Sequence, residues 1–308
     1  MRMTLRTKGL IALCIAAFLW GTAGVTGKLL FLETPPFVAA AHRFSLASLI
    51  ILPWFIRTKK PNRYVRSLLP LGILNSGNVL FYYAGLSLTT ANNSSILSMT
   101  VPILTTLLSP LIIKESIRKE QIYGVTVGLI GMLIIILLPI LKNGDPVHGS
   151  LEGNLLLCGS VLCWTLYILH SRRILSSGTY PAILSTSINL FSVALSSIIA
   201  SILFGLPLLS PALIAPTYLL VLLYAAIGIT ITTFFLFQWA MAHVSAATAS
   251  LKEYIQPVFG IGFNAAILNE QITASYLLGS MLVFTGVALA TGTRVTKKLA
   301  SVLFNRGG

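Results

Sequence analysis

Charge is what this 308-residue chain has least of. Charged residues make up 9% of it, Asp and Glu together number seven, and Asp145 is the only aspartate. A soluble domain carries about 25% charged residues, so this chain cannot cover a water-facing surface of its size. Acidic groups are too sparse for a paired-carboxylate active site, and the four histidines, His42, His148, His170 and His243, are scattered. No acid–base constellation can be assembled from them, so no catalytic residue is assigned. Three cysteines, Cys14, Cys158 and Cys163, lie in apolar runs. They read as small buried hydrophobes without a disulfide framework. Cys163 and His170 share a helix face, but two soft ligands do not make a metal site. There is no GxxxxGK[ST] phosphate loop and no segment long enough to fold as a soluble domain around one. ATP hydrolysis is therefore excluded as an energy source, and no cofactor is expected.

What is abundant is apolar sequence. Hydrophobic types make up 56% of the chain and mean hydropathy is +0.89. A bilayer core needs about 20 apolar residues per helix. Ten stretches qualify, at 9–30, 37–56, 68–86, 91–113, 121–141, 153–171, 181–204, 216–241, 246–268 and 273–293. The first begins like a signal peptide but runs too long for a cleaved apolar region and reads as a retained span. The fold class is therefore an all-α polytopic membrane protein.

The net charge of +14 does not point to nucleic acid. Its carriers are spread over several loops rather than one basic face. Arg2, Arg6 and Lys8 precede the first span, and Arg57, Lys59, Lys60, Arg63 and Arg66 form one loop. Lys114, Arg118 and Lys119 form another, Arg172 and Arg173 a third, and Arg294, Lys297, Lys298 and Arg306 the tail. These clusters fall at alternate span ends, the positive-inside pattern, which puts both termini in the cytoplasm of a bacterial-type inner membrane.

The second half repeats the first. Pro102, Glu115, Gly124 and Gly131 recur at one constant offset as Pro257, Glu270, Gly279 and Gly286, and Cys14 and Trp20 recur as Cys158 and Trp164 at a slightly shorter one. Repeats of this kind reveal the architecture. Residues 1–141 form the first repeat, 142–152 the joint, 153–293 the second repeat and 294–308 a basic cytoplasmic tail. Five spans per half is an odd number, so the second half enters from the opposite face and the repeats are inverted. Inverted halves around a midplane cavity are a common plan of secondary transporters.

The runs FLWGTAGVTGK, AHRF, YYAGLSLTTANNSSILSMTVPIL, KESI and GVTVGLIGMLI in the first half, with LCWTLYIL, AMAHVSAATASLKEYIQPVFG, LNEQIT and GSMLVFTGVAL in the second, resemble the drug/metabolite transporter superfamily, specifically its EamA-type ten-span exporters. The resemblance covers nearly the whole chain and lies in the order, spacing and duplication of these runs. It implies transport of small metabolites, often amino acids, commonly outward. The chain departs from the pattern at Lys252 and Glu253, where small or apolar residues are usual, and this departure marks a place where substrate class can differ.

A charge inside a membrane usually faces a partner or a water-filled cavity. His42 and Arg43 lie about two turns into the second span, and Lys252 and Glu253 about two turns into the ninth. Arg43 reads equally as a cavity residue or as a brace between helices. Adjacent helix positions point about 100° apart, so Lys252 and Glu253 are each expected to need a separate partner: a substrate carboxylate for Lys252 and an amine for Glu253 if they line a cavity, or groups on other helices if they brace the bundle. Gln256 shares the Lys252 face, Ala249 leaves room there, and Pro257 is expected to loosen the helix. Asn75, Asn78 and Tyr82 share one face of the third span, and Trp164 and Tyr167 extend the polar and aromatic lining from the sixth. Asn92, Asn93 and Gln238 extend the polar set, and Ser94, Ser95, Ser98, Thr230 and Thr233 fit helix packing better than binding. Trp20, Trp54 and Trp239 fit packing or an interfacial belt, and Lys28 fits snorkelling. Glu115 and Glu270 are expected to cap the helices that follow them.

The leading expectation is a secondary transporter that moves an amino acid or similar zwitterion by alternating access, as a monomer or homodimer in the bilayer, with a small-molecule substrate as its partner. An alternative is a proton-coupled exporter of lipophilic cations, with Lys252 arguing against it. A membrane-embedded enzyme or lipid-handling protein is a third reading.

Overall fold

The structure is a computed structural model that describes residues 3–58, 62–88, 97–98, 100–143, 150–268 and 274–291. Helices dominate, and no strand occurs among the described residues. In chain order they are α1 (Leu5–Gly21), α2 (Ala23–Phe31), α3 (Pro36–Arg57), α4 (Asn62–Leu88), α5 (Thr100–Ile112), α6 (Lys119–Asn143), α7 (Leu151–Leu175), α8 (Ala182–Leu203), α9 (Pro216–Tyr224), α10 (Thr233–Met241), α11 (Ala246–Ser250), α12 (Lys252–Leu268) and α13 (Ala274–Thr291). Among the described residues, four continuous helical stretches are long and apolar enough to cross a membrane: α3, α7, α8 and Pro216–Met241. Large side chains such as Leu49, Ile73, Leu111, Leu195 and Leu220 are exposed on the outside of the bundle, as expected where the surrounding solvent is lipid.

Among the described residues, three of the expected spans depart from regular helix. The first is interrupted at Thr22, whose hydroxyl and backbone N–H both turn back to the Leu19 carbonyl. The ninth is interrupted at Leu251, which separates α11 from α12. In the eighth, residues Ala225–Thr232 wind as a π-helix between α9 and α10. Within it the hydroxyls of Thr230 and Thr232 donate to the carbonyls five residues back, Ala225 and Ile227. Such departures in hydrocarbon need replacement hydrogen bonds, and the threonines supply them. The ninth-span interruption falls at Leu251, six residues before Pro257, so proline is not where the helix parts.

Helix pairing respects the sequence duplication. The main partners are α6 with α13, α3 with α8, α4 with α7 and with α8, α1 with α10 and α12, and α5 with α7. Exchanging the two halves sends α4–α7 onto α1–α10 and α5–α7 onto α1–α12, and leaves α3–α8 and α6–α13 as they are. The α6–α13 seam is made of glycine. A Cβ on Gly124 would lie 2.4 Å from the Gly286 carbonyl oxygen, and one on Gly286 would lie 2.5 Å from the Gly128 nitrogen. Small residues let membrane helices approach this closely.

The loops gather at two ends. At one end Gly9 lies beside His243 and Val244, Tyr64 packs on Tyr180 with ring centroids 4.9 Å apart, and Arg118 donates to the Ala290 carbonyl at 3.2 Å. This end collects Arg6, Lys8, Arg57, Arg63, Lys114, Arg118, Arg172 and Arg173. At the other end Ser150 N–H meets the Leu88 carbonyl, and Phe37 stacks on Phe204 at 5.4 Å. Of the described basic residues, Lys28 and Lys142 fall toward this second end.

The cysteines are not core residues. Cys14 and Cys158 are exposed on the bundle surface and Cys163 is half-buried. In a lipid-facing helix an apolar thiol needs no burial. Trp54 is likewise outward-facing, at 56% exposed.

Because the Gly124 Cβ direction points into backbone rather than a yielding side chain, Gly124→Leu is expected to lower stability by about 1–3 kcal/mol or more through overpacking. Gly27→Ala, with open space around it, is expected to leave melting unchanged. Thermal unfolding of the two purified variants in detergent checks this, and equal melting would refute the seam.

Candidate functional site

A cavity of about 210 Å³ lies beside the interruptions of the first and ninth spans, and the π-helical segment of the eighth reaches it through its hydrogen bonds to Arg43. Its walls come from both halves. Trp20, Gly27 and Phe31 come from α1 and α2, Arg43 from α3, Asn78, Tyr82 and Tyr83 from α4, Ser160 and Trp164 from α7, Phe234 from α10, and Lys252, Glu253, Gln256 and Pro257 from α12. The cavity runs from Lys252 toward Phe31, Leu86 and Ser98, and so toward the end that holds Leu88 and Ser150.

The ninth-span interruption sets the charges. With α11 ending at Ser250, Lys252 and Glu253 become the first residues of α12. An acidic side chain in a first turn is favoured by the helix dipole. Contrary to the expectation from a continuous helix, the two side chains do pair: Lys252 Nζ lies 2.5 Å from Glu253 Oε1. The 100° between neighbouring Cα–Cβ directions is bridged by the long lysine stem. Trp164 Nε1 donates to the same oxygen at 2.7 Å. Both of the described hydrogen bonds of Glu253 therefore fall on Oε1, and Oε2 has no donor among the described residues. Lys252 is 3% exposed and Glu253 8%. The ammonium lies 4.0 Å from the Trp20 ring centroid, 4.8 Å from that of Trp164 and 5.7 Å from that of Phe237. Cations over aromatic faces within about 6 Å are attracted by the ring quadrupole.

Arg43 both braces and lines. Its Nε donates to Thr230 Oγ1 at 2.6 Å, and its terminal nitrogens make long bonds to the Tyr83 hydroxyl at 3.4 Å and the Ile229 carbonyl at 3.5 Å. Both α10-side partners belong to the π-helical segment, which presents a carbonyl and a hydroxyl to the guanidinium. No acidic side chain pairs with Arg43 among the described residues; the ion pairs there are Lys252–Glu253 and Arg172–Glu115. Among the described residues the cavity thus holds two cations against one carboxylate.

The other residues expected to bind divide cleanly. Asn78 lines the cavity and donates to Ser160 Oγ at 2.8 Å and to the Ser160 carbonyl at 3.2 Å. Tyr82, Gln256 and Trp164 line it as well. Asn75 does not: it is fully buried against neighbouring helices, and its side-chain amide has no partner among the described residues. His42 lies away from the cavity lining, its Nε2 donating to the Leu208 carbonyl at 2.7 Å and its Nδ1 2.8 Å from the Tyr218 hydroxyl. Tyr167 sits behind the wall. Its hydroxyl accepts from Asn189 and Gln238, and its ring stacks on Trp164 at 4.9 Å. It positions Trp164 without reaching the cavity. Asn92, Asn93, Ser94, Ser95 and Glu270 lie outside the described residues, as does the side chain of Lys28.

Sequence reasoning missed Trp20, Tyr83, Ser160 and Phe234. Trp20 had a signal: it is the repeat counterpart of Trp164, and the two rings meet edge to face at 6.0 Å. Gly21 beside it is one of the places where α1 touches α12, with an added Cβ only 2.9 Å from Phe259 Cβ.

At the basic end a polar clamp lies beneath the cavity. Arg172 Nε meets Glu115 Oε1 at 2.6 Å, and Arg172 Nη1 donates to the Met241 carbonyl at 2.9 Å. Glu115 Oε2 accepts from Ala246 N–H at 3.1 Å. Glu115 therefore caps α11 of the second half, not α6 that follows it. Gln121 Nε2 adds a bond to Ser245 Oγ at 2.8 Å.

Comparison with known proteins agrees with this architecture. The chain is 26% identical over 293 residues to the uncharacterized transporter YetK of Bacillus subtilis, covering 90% of this chain and 84% of that one. It is 24% identical over 288 residues to a protein of Escherichia coli named a probable amino-acid metabolite efflux pump, covering 92% of this chain and 94% of the relative. A solved crystal structure, 19% identical, superposes with a TM-score of 0.77 over 93% of this chain and 99% of its own, a likeness of fold. The description of the EamA-like transporter family matches residues 7–137 and 151–292. With nearly the whole chain so matched, and a charged cavity between its two repeats, this membrane protein belongs to the EamA-like transporter family.

Proposed function

We propose that the protein is a secondary transporter exporting an amino acid or similar small zwitterion across the bacterial inner membrane. Its ten spans form two inverted five-helix halves, and alternating access exposes the cavity to one side at a time. Gradient or exchange supplies the energy, since the sequence carries no nucleotide-binding motif.

The observation that carries the substrate reading is Arg43. A guanidinium in a low-dielectric cavity without a counter-charge is costly, and a carboxylate that meets it recovers a charge-assisted hydrogen bond. The open Oε2 of Glu253 is an acceptor for the substrate ammonium. Asn78, Gln256 and Tyr82 supply neutral polar contacts, and Trp164 and Phe234 the apolar wall. Lys252, read from sequence as the carboxylate anchor, is already committed to Glu253, so that role passes to Arg43. The E. coli and Salmonella typhimurium relatives named as probable amino-acid metabolite efflux pumps support the same substrate class.

The clustering of basic residues at the clamp end supports a cytoplasmic assignment for that end by the positive-inside rule. The cavity then opens outward, with the Glu115–Arg172 clamp closing the cytoplasmic side.

Two outcomes test this reading. Melting of the detergent-purified protein is followed against amino acids, amine-free carboxylic acids, carboxyl-free amines and tetraphenylphosphonium. A ligand at about 100 times its dissociation constant adds about 2.7 kcal/mol. A shift with amino acids that Arg43→Lys abolishes is expected, because lysine cannot reproduce the planar fork. A shift with tetraphenylphosphonium alone would replace zwitterion transport with cation export. For the clamp, Ser160→Cys in a chain lacking the three native cysteines is labelled with an impermeant maleimide. Labelling is expected from the outer face, and Arg172→Met is expected to raise cytoplasmic labelling several-fold. Unchanged cytoplasmic labelling would remove the clamp's gating role.

A further inference from the structure

The surroundings of the Lys252 ammonium are those of a bound cation rather than of a substrate-seeking side chain. One carboxylate oxygen lies 2.5 Å away, and two indole faces lie at 4.0 and 4.8 Å. The faces come from α1 and α7, one from each repeat, and the carboxylate from α12. A carboxylate flanked by aromatic rings is the chemistry that recognises a free ammonium or a small alkali cation. Here the chain's own side chain fills that place and is almost completely enclosed, at 3% exposed. The other ionisable groups around the cavity are Arg43 on α3 and Tyr82 and Tyr83 on α4. The hydrogen bonds of Arg43 go to Thr230, Tyr83 and Ile229, none of them acidic. Lys252 is therefore the one described cation that neutralises Glu253.

We propose that the Lys252 ammonium is a built-in counter-ion: it occupies a small-cation site formed by Glu253, Trp20 and Trp164, and so lets the empty carrier reorient without a coupling cation. An empty carrier with a bare buried carboxylate would have to desolvate that charge on each return, and a bound cation is the usual remedy. A tethered cation needs no binding step and cannot be lost to either compartment. The substrate ammonium meets Glu253 on Oε2 while Lys252 keeps Oε1, so loading does not require Lys252 to leave. This inference rests on the cavity being the transport site.

The test is chemical rescue. Lys252→Ala removes the side chain and leaves room for a free ammonium. Melting of the parent, Lys252→Ala and Lys252→Ala/Glu253→Gln proteins is compared in choline, sodium, methylammonium and n-propylammonium chloride at equal ionic strength. The parent is expected to be indifferent to the cation. Lys252→Ala is expected to melt lower in choline and to recover by about 5 °C at saturating methylammonium or n-propylammonium, and the double variant to lose that recovery. Equal melting of Lys252→Ala in all four salts, or equal recovery in the double variant, would overturn the proposal. Should Lys252→Ala yield no folded protein, Lys252→Met is set against Lys252→Met/Glu253→Gln. The double variant, free of the unpaired carboxylate, is expected to melt higher, and the reverse order counts against the built-in cation. Loss of rescue with amino-acid binding intact defeats this inference alone, whereas a parent that binds no amino acid defeats the transport reading beneath it.

Discussion

A charge removed from water must find an opposite charge or dipoles, and this constraint organises the centre of the molecule. Glu253 satisfies it with Lys252 and the Trp164 indole N–H, all on one oxygen. Lys252 satisfies the remainder with aromatic faces. Arg43 satisfies its own with a hydroxyl and a carbonyl from a π-helical turn. Each solution needs a local departure from regular helix: a stop at Leu251, a turn at Thr22 beside Trp20, and a wide turn at Ala225–Thr232. In hydrocarbon such departures are tolerated where they face a cavity. Two of them adjoin the cavity and the third holds Arg43 in its wall, which distinguishes this region from the rest of the bundle.

The remainder of the fold holds these three irregularities in register. The α6–α13 seam is glycine against glycine, a contact that neither helix can slide past without backbone collision. The α4–α7 and α1–α10 pairs are equivalents under exchange of the halves. The equivalence is incomplete where chemistry is concentrated. Trp20 and Trp164 correspond as repeat partners, yet Trp164 alone donates to Glu253, and Pro102, the counterpart of Pro257, follows no Lys–Glu pair in sequence. A duplicated frame with one asymmetric charged site is suited to binding an asymmetric solute.

Much of this was legible from residue order. The membrane class, the positions of the apolar stretches, the duplication and the candidacy of Arg43, Asn78, Tyr82, Trp164, Lys252, Glu253 and Gln256 all follow from composition, spacing and the cost of burying charge. One error arose where a continuous helix was assumed, and others where packing between distant segments decided the outcome. On a regular helix Lys252 and Glu253 diverge; at the start of α12 the lysine stem closes the gap. Glu115 looked like the cap of the next helix, but α11 from the other repeat supplies the N–H it accepts. His42, Asn75 and Tyr167 were placed on suitable faces of their spans, yet a face records angle and not depth, and packing put all three outside the cavity lining.

The sequence by itself determined that the chain lives in a membrane, that it is duplicated, and which few polar residues its apolar stretches must accommodate, because hydropathy and charge cost are properties of residues taken one at a time. The tertiary structure alone decided which of those residues share a cavity, that the carboxylate already has a lysine, and that the arginine has no acidic partner among the described residues. Those outcomes depend on where helices break and how closely they approach. Both are set by contacts between residues far apart in the chain, such as Gly21 against Phe259 and Arg43 against Thr230.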